Sequence, residues 1–178
     1  MQPPGPADLS PDHAACLQSM LPPGGSPNPG AWQEVYRATT HSFGAAAFHK
    51  RCDRRARLPV LVRAREGGWL FGGFTAVGFS PPQSWIADPS AFLFSLTNSL
   101  GRPEKLESKG NGRDLWYRPN LSAAFSLGLY ICDNADTTAG SCTDTGGAYA
   151  ASASTGAHPM ARGHQEGWLA AEIVAWAV

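Results

Sequence analysis

The chain has 178 residues, 43% hydrophobic and 16% charged, which suffices for one globular core and is too little for two ordinary domains. Fourteen basic residues balance fourteen acidic ones, so no overall field draws the protein onto nucleic acid or anionic lipid. No run approaches the ~18 uncharged apolar residues of a spanning helix, and residues 1–10 lack the apolar stretch of a secretory signal, so the expected setting is intracellular, most simply the cytoplasm.

Ser10-Pro11-Asp12 predicts a helix start: the serine side chain accepts an orphan amide, proline suits the first turn, and aspartate favours the positive end of the helix dipole. The helix runs to about residue 20 and stops at residues 22–30, where four prolines and three glycines forbid a regular element. Residues 1–31 are therefore expected to be a capped helix plus linker, docked or inert, and 32–178 the body. Residues 32–38 alternate apolar and polar, as a half-buried strand does. Ser42 then reads as a second helix cap, with Phe43, Ala47 and Phe48 facing inward and His49, Lys50 and Arg51 near the helix end.

Two β-rich runs, 59–63 and 69–75, flank Glu66-Gly67-Gly68 and predict a hairpin. A loop over 77–89 leads to 91–97, an apolar segment expected at the centre of the sheet. Residues 101–120 are polar and turn-rich, with a short strand at 115–117, and a further strand covers 127–132. Residues 133–154 read as a long loop. Residues 168–176 fit a helix by their alanines and a strand by their alternation, and periodicity does not decide.

The phosphate-cradling, nucleophile-elbow, zinc-helix and kinase signatures are absent. Cys16, Cys52, Cys132 and Cys142 form no CxxC pair and read as free thiols, although Cys132 and Cys142 flank one loop where they could meet. His41 and His49 lack a third ligand, so no metal or cofactor is expected. Asp133-Asn134-Ala135-Asp136, with Asp144, gathers oxygen ligands for a calcium test but lacks the glycine and distal glutamate of a hand-type loop. Trp85 and Trp116 sit in loop-like contexts suited to stacking on a sugar or base. Between residues 37 and 65 eight basic residues stand against Asp53 alone, whereas beyond residue 119 five acids stand against Arg162.

Several segments, in order, resemble the TLDc family, the domain associated with TBC and LysM proteins and with oxidation-resistance proteins. Val35-Tyr36-Arg37-Ala38 is similar to the family's opening strand. The run from Phe43 through Phe48-His49 to Cys52-Asp53 resembles the "F-x-x-x-x-F-H-x-x-C-D" helix of standalone protist and invertebrate versions. Phe71-Gly72-Gly73-Phe74-Thr75, then Trp85, and the run from Asp88-Pro89 through Phe92-Leu93-Phe94 to Asn98 continue the match, the last being the most specific motif. Ala171-Glu172-Ile173-Val174-Ala175-Trp176 resembles the closing strand, which turns the ambiguous terminal segment into a strand. Cys132-Asp133-Asn134 is similar to a polar "S-D-N" loop, and Gly146-Gly147-Ala148-Tyr149 to a weakened "L-G-x-x-Y". The departure is Phe125-Ser126-Leu127-Gly128-Leu129-Tyr130, which keeps the phenylalanine and one glycine of the family's "F-G-G-G-x-D" and implies a reshaped turn.

The resemblance implies a mostly β (α+β) fold, a two-sheet antiparallel β-sandwich with a few peripheral helices. It also implies a protein-binding role with no established catalytic centre. Relatives protect cells against oxidative stress and bind the vacuolar proton-pumping ATPase (V-ATPase); a protein partner is expected here, unidentified, with V-ATPase subunits suggested by the resemblance alone. Two alternatives stand beside this non-enzymatic reading: a thiol-dependent enzyme whose Cys52 is activated by His49, Lys50, Arg51 and Arg54, and a carbohydrate-binding sandwich using exposed tryptophans. The candidate partner-binding residues are Arg54, Arg55 and Arg57, against a merely solvated face or internal neutralisation by Asp133, Asp136 and Asp144.

Overall fold

A computed structural model describes residues 8–23, 32–82, 84–98, 101–143, 147–150 and 166–178. The linker over 24–30, Asp144, Gly146 and Arg162 lie outside the described residues. In chain order the first elements are α1 (Pro11–Met20), β1 (Gln33–Arg37), α2 (Ala38–His41), α3 (Ala45–Cys52), β2 (Leu58–Ala64), β3 (Leu70–Thr75) and β4 (Trp85–Ile86). Next come β5 (Phe92–Ser95), β6 (Glu104–Glu107), β7 (Leu115–Trp116), β8 (Leu121–Phe125) and β9 (Leu129–Cys132). The chain ends with β10 (Ser141–Cys142), β11 (Glu166–Trp168) and β12 (Ala170–Ala177), so the terminal segment is strand.

A six-stranded antiparallel sheet has the order β1-β12-β2-β3-β5-β6, a four-stranded sheet the order β11-β10-β9-β8, and β4 pairs with β7 as a separate ribbon. The two larger sheets form a β-sandwich. Val60, Val62, Phe71, Leu93 and Ile173 of the first meet Phe125, Leu129 and Ile131 of the second in one core. The opposite face of the large sheet, with Leu61, Phe74, Phe92, Phe94, Val174 and Trp176, forms a second core under Leu9 and the fully buried Leu17 of α1. Burial of both faces is why β2, β3 and β5 read as nearly unbroken apolar runs without alternation.

Helix α1 is thus docked. Ser10 caps it by accepting from the His13 amide at 3.3 Å. Arg37 holds its approach: the guanidinium pairs with Asp8 and Glu34 and reaches Glu172 of β12 at 3.3 Å. Hydrogen bonding to Arg37 keeps the Asp8 carboxyl below the usual carboxylate range, against the opposing effect of burial. Glu172 also accepts from the Thr39 amide at 3.2 Å, so these side chains tie the chain's approach to α1, strands β1 and β12, and helix α2 together.

Several expectations need correction. Strand β5 is hydrogen-bonded on both sides but lies next to the edge strand β6 and not at the centre. Ser42 does not cap α3: it ends α2 with φ 95°, and α3 starts at Ala45, whose amide is capped by Asp133 Oδ1 at 2.7 Å. Asp133 therefore serves as a helix cap supplied from 88 residues away. The expected strand over 127–132 starts only at Leu129. Ser126 turns the β8–β9 hairpin at φ 52° and Leu127 stands 46% exposed, because left-handed backbone at Ser126 ends the ladder. Strands β4 and β6 fall in segments read as loop or polar turn, β8 falls in residues given no element, and β10 lies within the expected long loop.

Candidate functional site

Helix α3 is fixed from below by the burial of Ala45, Phe48 and Cys52, and Phe48 packs edge-on against Tyr36 and Phe79 at ring-centre distances of 5.2 and 5.7 Å. This leaves the C-terminal turn of α3 facing outward, where cations suit the negative end of the helix dipole. Asp53 closes the helix, its amide donating to the His49 carbonyl at 3.1 Å. The chain then turns at Arg54, φ 59°, whose amide donates to Phe79 O at 2.7 Å, while the Arg55 amide donates to Cys52 O at 3.2 Å. Gly78 lets this turn come close, since a Cβ there would stand 2.1 Å from Arg55 O.

His49 joins α3 to the β7–β8 connection. Its Nδ1 lies 2.7 Å from Asp53 Oδ1, and its Nε2 lies 3.0 and 2.7 Å from the carbonyls of Arg118 and Leu121. The ring rests against Tyr117 at 4.8 Å, and the Tyr117 hydroxyl donates to Asp53 Oδ2 at 3.3 Å. Burial, then the neighbouring Asp53 carboxylate, raises the Tyr117 phenol. The i, i+4 spacing of His49 and Asp53 was visible in the sequence, whereas Tyr117 and Arg118 come from far along the chain and gave no local signal.

The basic residues divide by role. Lys50, Arg54 and Arg55 are exposed, and among the described residues none of them is in an ion pair. Arg57 is drawn inward instead: its side chain donates to Val178 O at 3.2 Å and Pro22 O at 2.9 Å and lies over the Phe74 ring. It fastens the segment after α1 and the end of β12. Asp133 and Asp136 do not pair with the patch among the described residues; Asp133 is committed to the start of α3.

The other residues of the expected signature build the frame. Phe71, Phe92 and Phe94 are core side chains. Gly72 and Gly73 make room: a Cβ at Gly72 would lie 1.9 Å from Val60 O, and one at Gly73 would lie 2.7 Å from the ring of Phe125. Asp88, 1% exposed, accepts from Thr75 Oγ1 and the Ala76 amide at 2.7 Å, from Val77 N at 3.3 Å and from Ser90 N at 3.1 Å. Asn98 donates to Ser95 Oγ at 3.2 Å and Arg102 O at 2.9 Å, holding the turn after β5.

Cys52 is not an activated thiol. It is fully buried, and desolvation pushes it well above the ordinary thiol range, outweighing the nearby arginines. The four cysteines form no disulfide, and Cys132 donates to Thr138 O at 3.1 Å. A thiol reagent should therefore label the partly exposed Cys16 first, and mass spectrometry should find Cys52 modified only on unfolding; rapid native labelling of Cys52 would contradict this. The histidines are engaged separately, His41 Nδ1 accepting from the Arg37 amide at 3.0 Å. Among the described residues no His, Cys, Asp and Glu side chains form a group that could hold a metal.

Trp85, which remains exposed, and Trp116 pair across the β4–β7 ribbon. They stack on one another at 5.2 Å and 10°, with Arg113 over the first ring and Arg118 over the second. Among the described residues no helix is long and apolar enough to cross a membrane.

No curated protein sequence shows significant similarity to the chain. The family model described as the TLDc domain matches residues 9–131, from the approach to α1 into β9. That span includes α1, the arginine turn and the glycine pair of β3, and the chain belongs to the TLDc domain family.

Proposed function

We propose that this chain is a non-enzymatic protein-interaction module whose partner brings an acidic surface to the turn after α3. The observation that carries the reading is the state of Arg54 and Arg55: both are exposed on a turn fixed by backbone hydrogen bonds, with no carboxylate paired to either among the described residues. A guanidinium held on rigid backbone loses little freedom when it engages a carboxylate through its bidentate fork. Family membership makes V-ATPase subunits the first partners to test, with protection against oxidative stress as the cellular role. The free thiols fit a reducing, intracellular setting.

The test is a double charge reversal, Arg54→Glu with Arg55→Glu, leaving Arg57 intact because it holds the chain ends. Capture of purified V-ATPase subunits should be lost in the variant and should weaken steeply with salt in the parent, while the thermal midpoint stays nearly unchanged. A folded double variant that retains capture would overturn the reading.

A further inference from the structure

The β4–β7 ribbon turns Ile86 and Leu115 inward, both buried, and pairs Trp85 with Trp116 on its other face. Trp85 remains 37% exposed. The Arg118 guanidinium carbon lies 4.2 Å from the centre of Trp116, and that of Arg113 lies 5.7 Å from the centre of Trp85. A planar cation needs about 3.5–4 Å on each side of it, so none fits between indoles 5.2 Å apart. The cations therefore take the outer faces, and the order along the stack is Arg113, Trp85, Trp116, Arg118.

Three features define what such a surface recognises. First, one face of each indole is covered by the other indole, and guanidinium carbons stand 5.7 and 4.2 Å from the centres of Trp85 and Trp116, which narrows the open face left for a nucleic-acid base or a sugar ring. Second, among the described residues neither guanidinium has a hydrogen-bond or ion-pair partner beyond its ring contact, so its in-plane donors remain available. Third, the only acid between residues 108 and 121 is Asp114, which is buried and accepts from Ser108 Oγ and the Asp88 amide. Among the described residues no carboxylate forms an ion pair with either arginine. Stacked guanidiniums with free in-plane forks match carboxylates, which accept two parallel hydrogen bonds. The absence of net charge on the chain also argues against a polyanion held by long-range field alone.

The stack adjoins the turn after α3. His49 contacts the Arg118 carbonyl at 3.0 Å, and Tyr117 reaches Asp53 at 3.3 Å beside Arg54. We propose that the Arg113–Trp85–Trp116–Arg118 stack is the specificity-determining part of the docking surface, taking carboxylates of an extended acidic protein segment that continues onto Arg54 and Arg55. This rests on the interaction-module reading and names the chemistry of its partner.

The test uses the full chain and a labelled synthetic peptide of repeating Glu-Gly-Asp-Gly units, followed by peptide anisotropy and by the protein's own tryptophan emission. At low salt the peptide should bind and shift that emission. Arg113→Gln with Arg118→Gln should weaken binding at least about tenfold, and Arg113→Lys with Arg118→Lys, which keeps the charge without the fork, should recover only part of it. Thermal midpoints confirm that each pair of variants is folded, and the lysine pair keeps the test decisive should the glutamine pair not be. Full affinity in the Arg113/Arg118 variants, or tighter binding of a thymidine oligonucleotide or of phosphatidylserine vesicles than of the peptide, would overturn the proposal. If Arg54→Glu with Arg55→Glu alone removes binding, the α3 patch stands and the stack does not; if only the Arg113/Arg118 pair removes it, the stack stands and the patch does not. A peptide that binds neither region overturns both.

Discussion

Replacing Gly72 with alanine should lower unfolding free energy by at least about 3 kcal/mol and reduce soluble yield. Gly72 sits opposite Leu61 of β2 and Phe94 of β5, in the interior of the large sheet. The added Cβ would stand 1.9 Å from the backbone oxygen of Val60 and 2.8 Å from the Phe94 ring. A carbonyl in the middle of a strand cannot retreat by more than an ångström without opening the β2–β3 ladder, so packing strain and hydrogen-bond loss arrive together. Gly73 is the informative control. Its obstacle is the Phe125 ring at 2.7 Å, a side chain that can tilt, so Gly73→Ala should cost less, about 1–3 kcal/mol. Urea denaturation of both variants checks the order, and a Gly72→Ala loss below that of Gly73→Ala would refute the steric account.

Asp88→Ala should cost about 3–5 kcal/mol, because a buried acceptor disappears while its donors remain. One carboxylate oxygen receives Thr75 Oγ1 and the Ala76 and Val77 amides, and the other receives the Ser90 amide. The Thr75 hydroxyl has no route to water, since Thr75 and Asp88 are both essentially unexposed, whereas Val77 and Ser90 lie at the surface. Asp88→Asn separates charge from geometry. An amide oxygen can take the three-donor position, leaving its NH2 facing the Ser90 amide, so its loss should be smaller, about 1–3 kcal/mol. Equal losses for the two variants would show that the negative charge, and not a neutral acceptor of the right shape, governs the site.

What was legible in the sequence was local. The Ser10-Pro11-Asp12 start of α1, the glycine-centred β2–β3 hairpin and the apolar run of β5 each carry their signal within a few residues. Strand β6 was hidden because an edge strand with the sequence Glu-Lys-Leu-Glu turns only Leu106 into the core. Strand β8 was hidden because Ser122, Ala123 and Ala124 are small enough for a turn yet lie buried in the sheet. The start of α3 was misplaced because its cap comes from Asp133, and a serine three residues before the helix offered a more obvious substitute. At the site, the arginine cluster was plain from composition. The inward turn of Arg57 and the Trp85–Trp116 stack were not, since both depend on partners brought together by the finished sheets.

The place of β12 has a consequence for biosynthesis. Residues 170–177 lie between β1 and β2 and pair with both, so the large sheet cannot close until that strand has left the ribosome. Until then the apolar run of β2 has an unpaired edge, and β1 has no neighbour in the sheet. Closure of the large sheet therefore waits for β12, and until then the open edge is free to pair with other strands. Truncation just before Ala170 should thus yield aggregate in place of a smaller folded body, even though every residue of the arginine turn and the tryptophan stack would still be present.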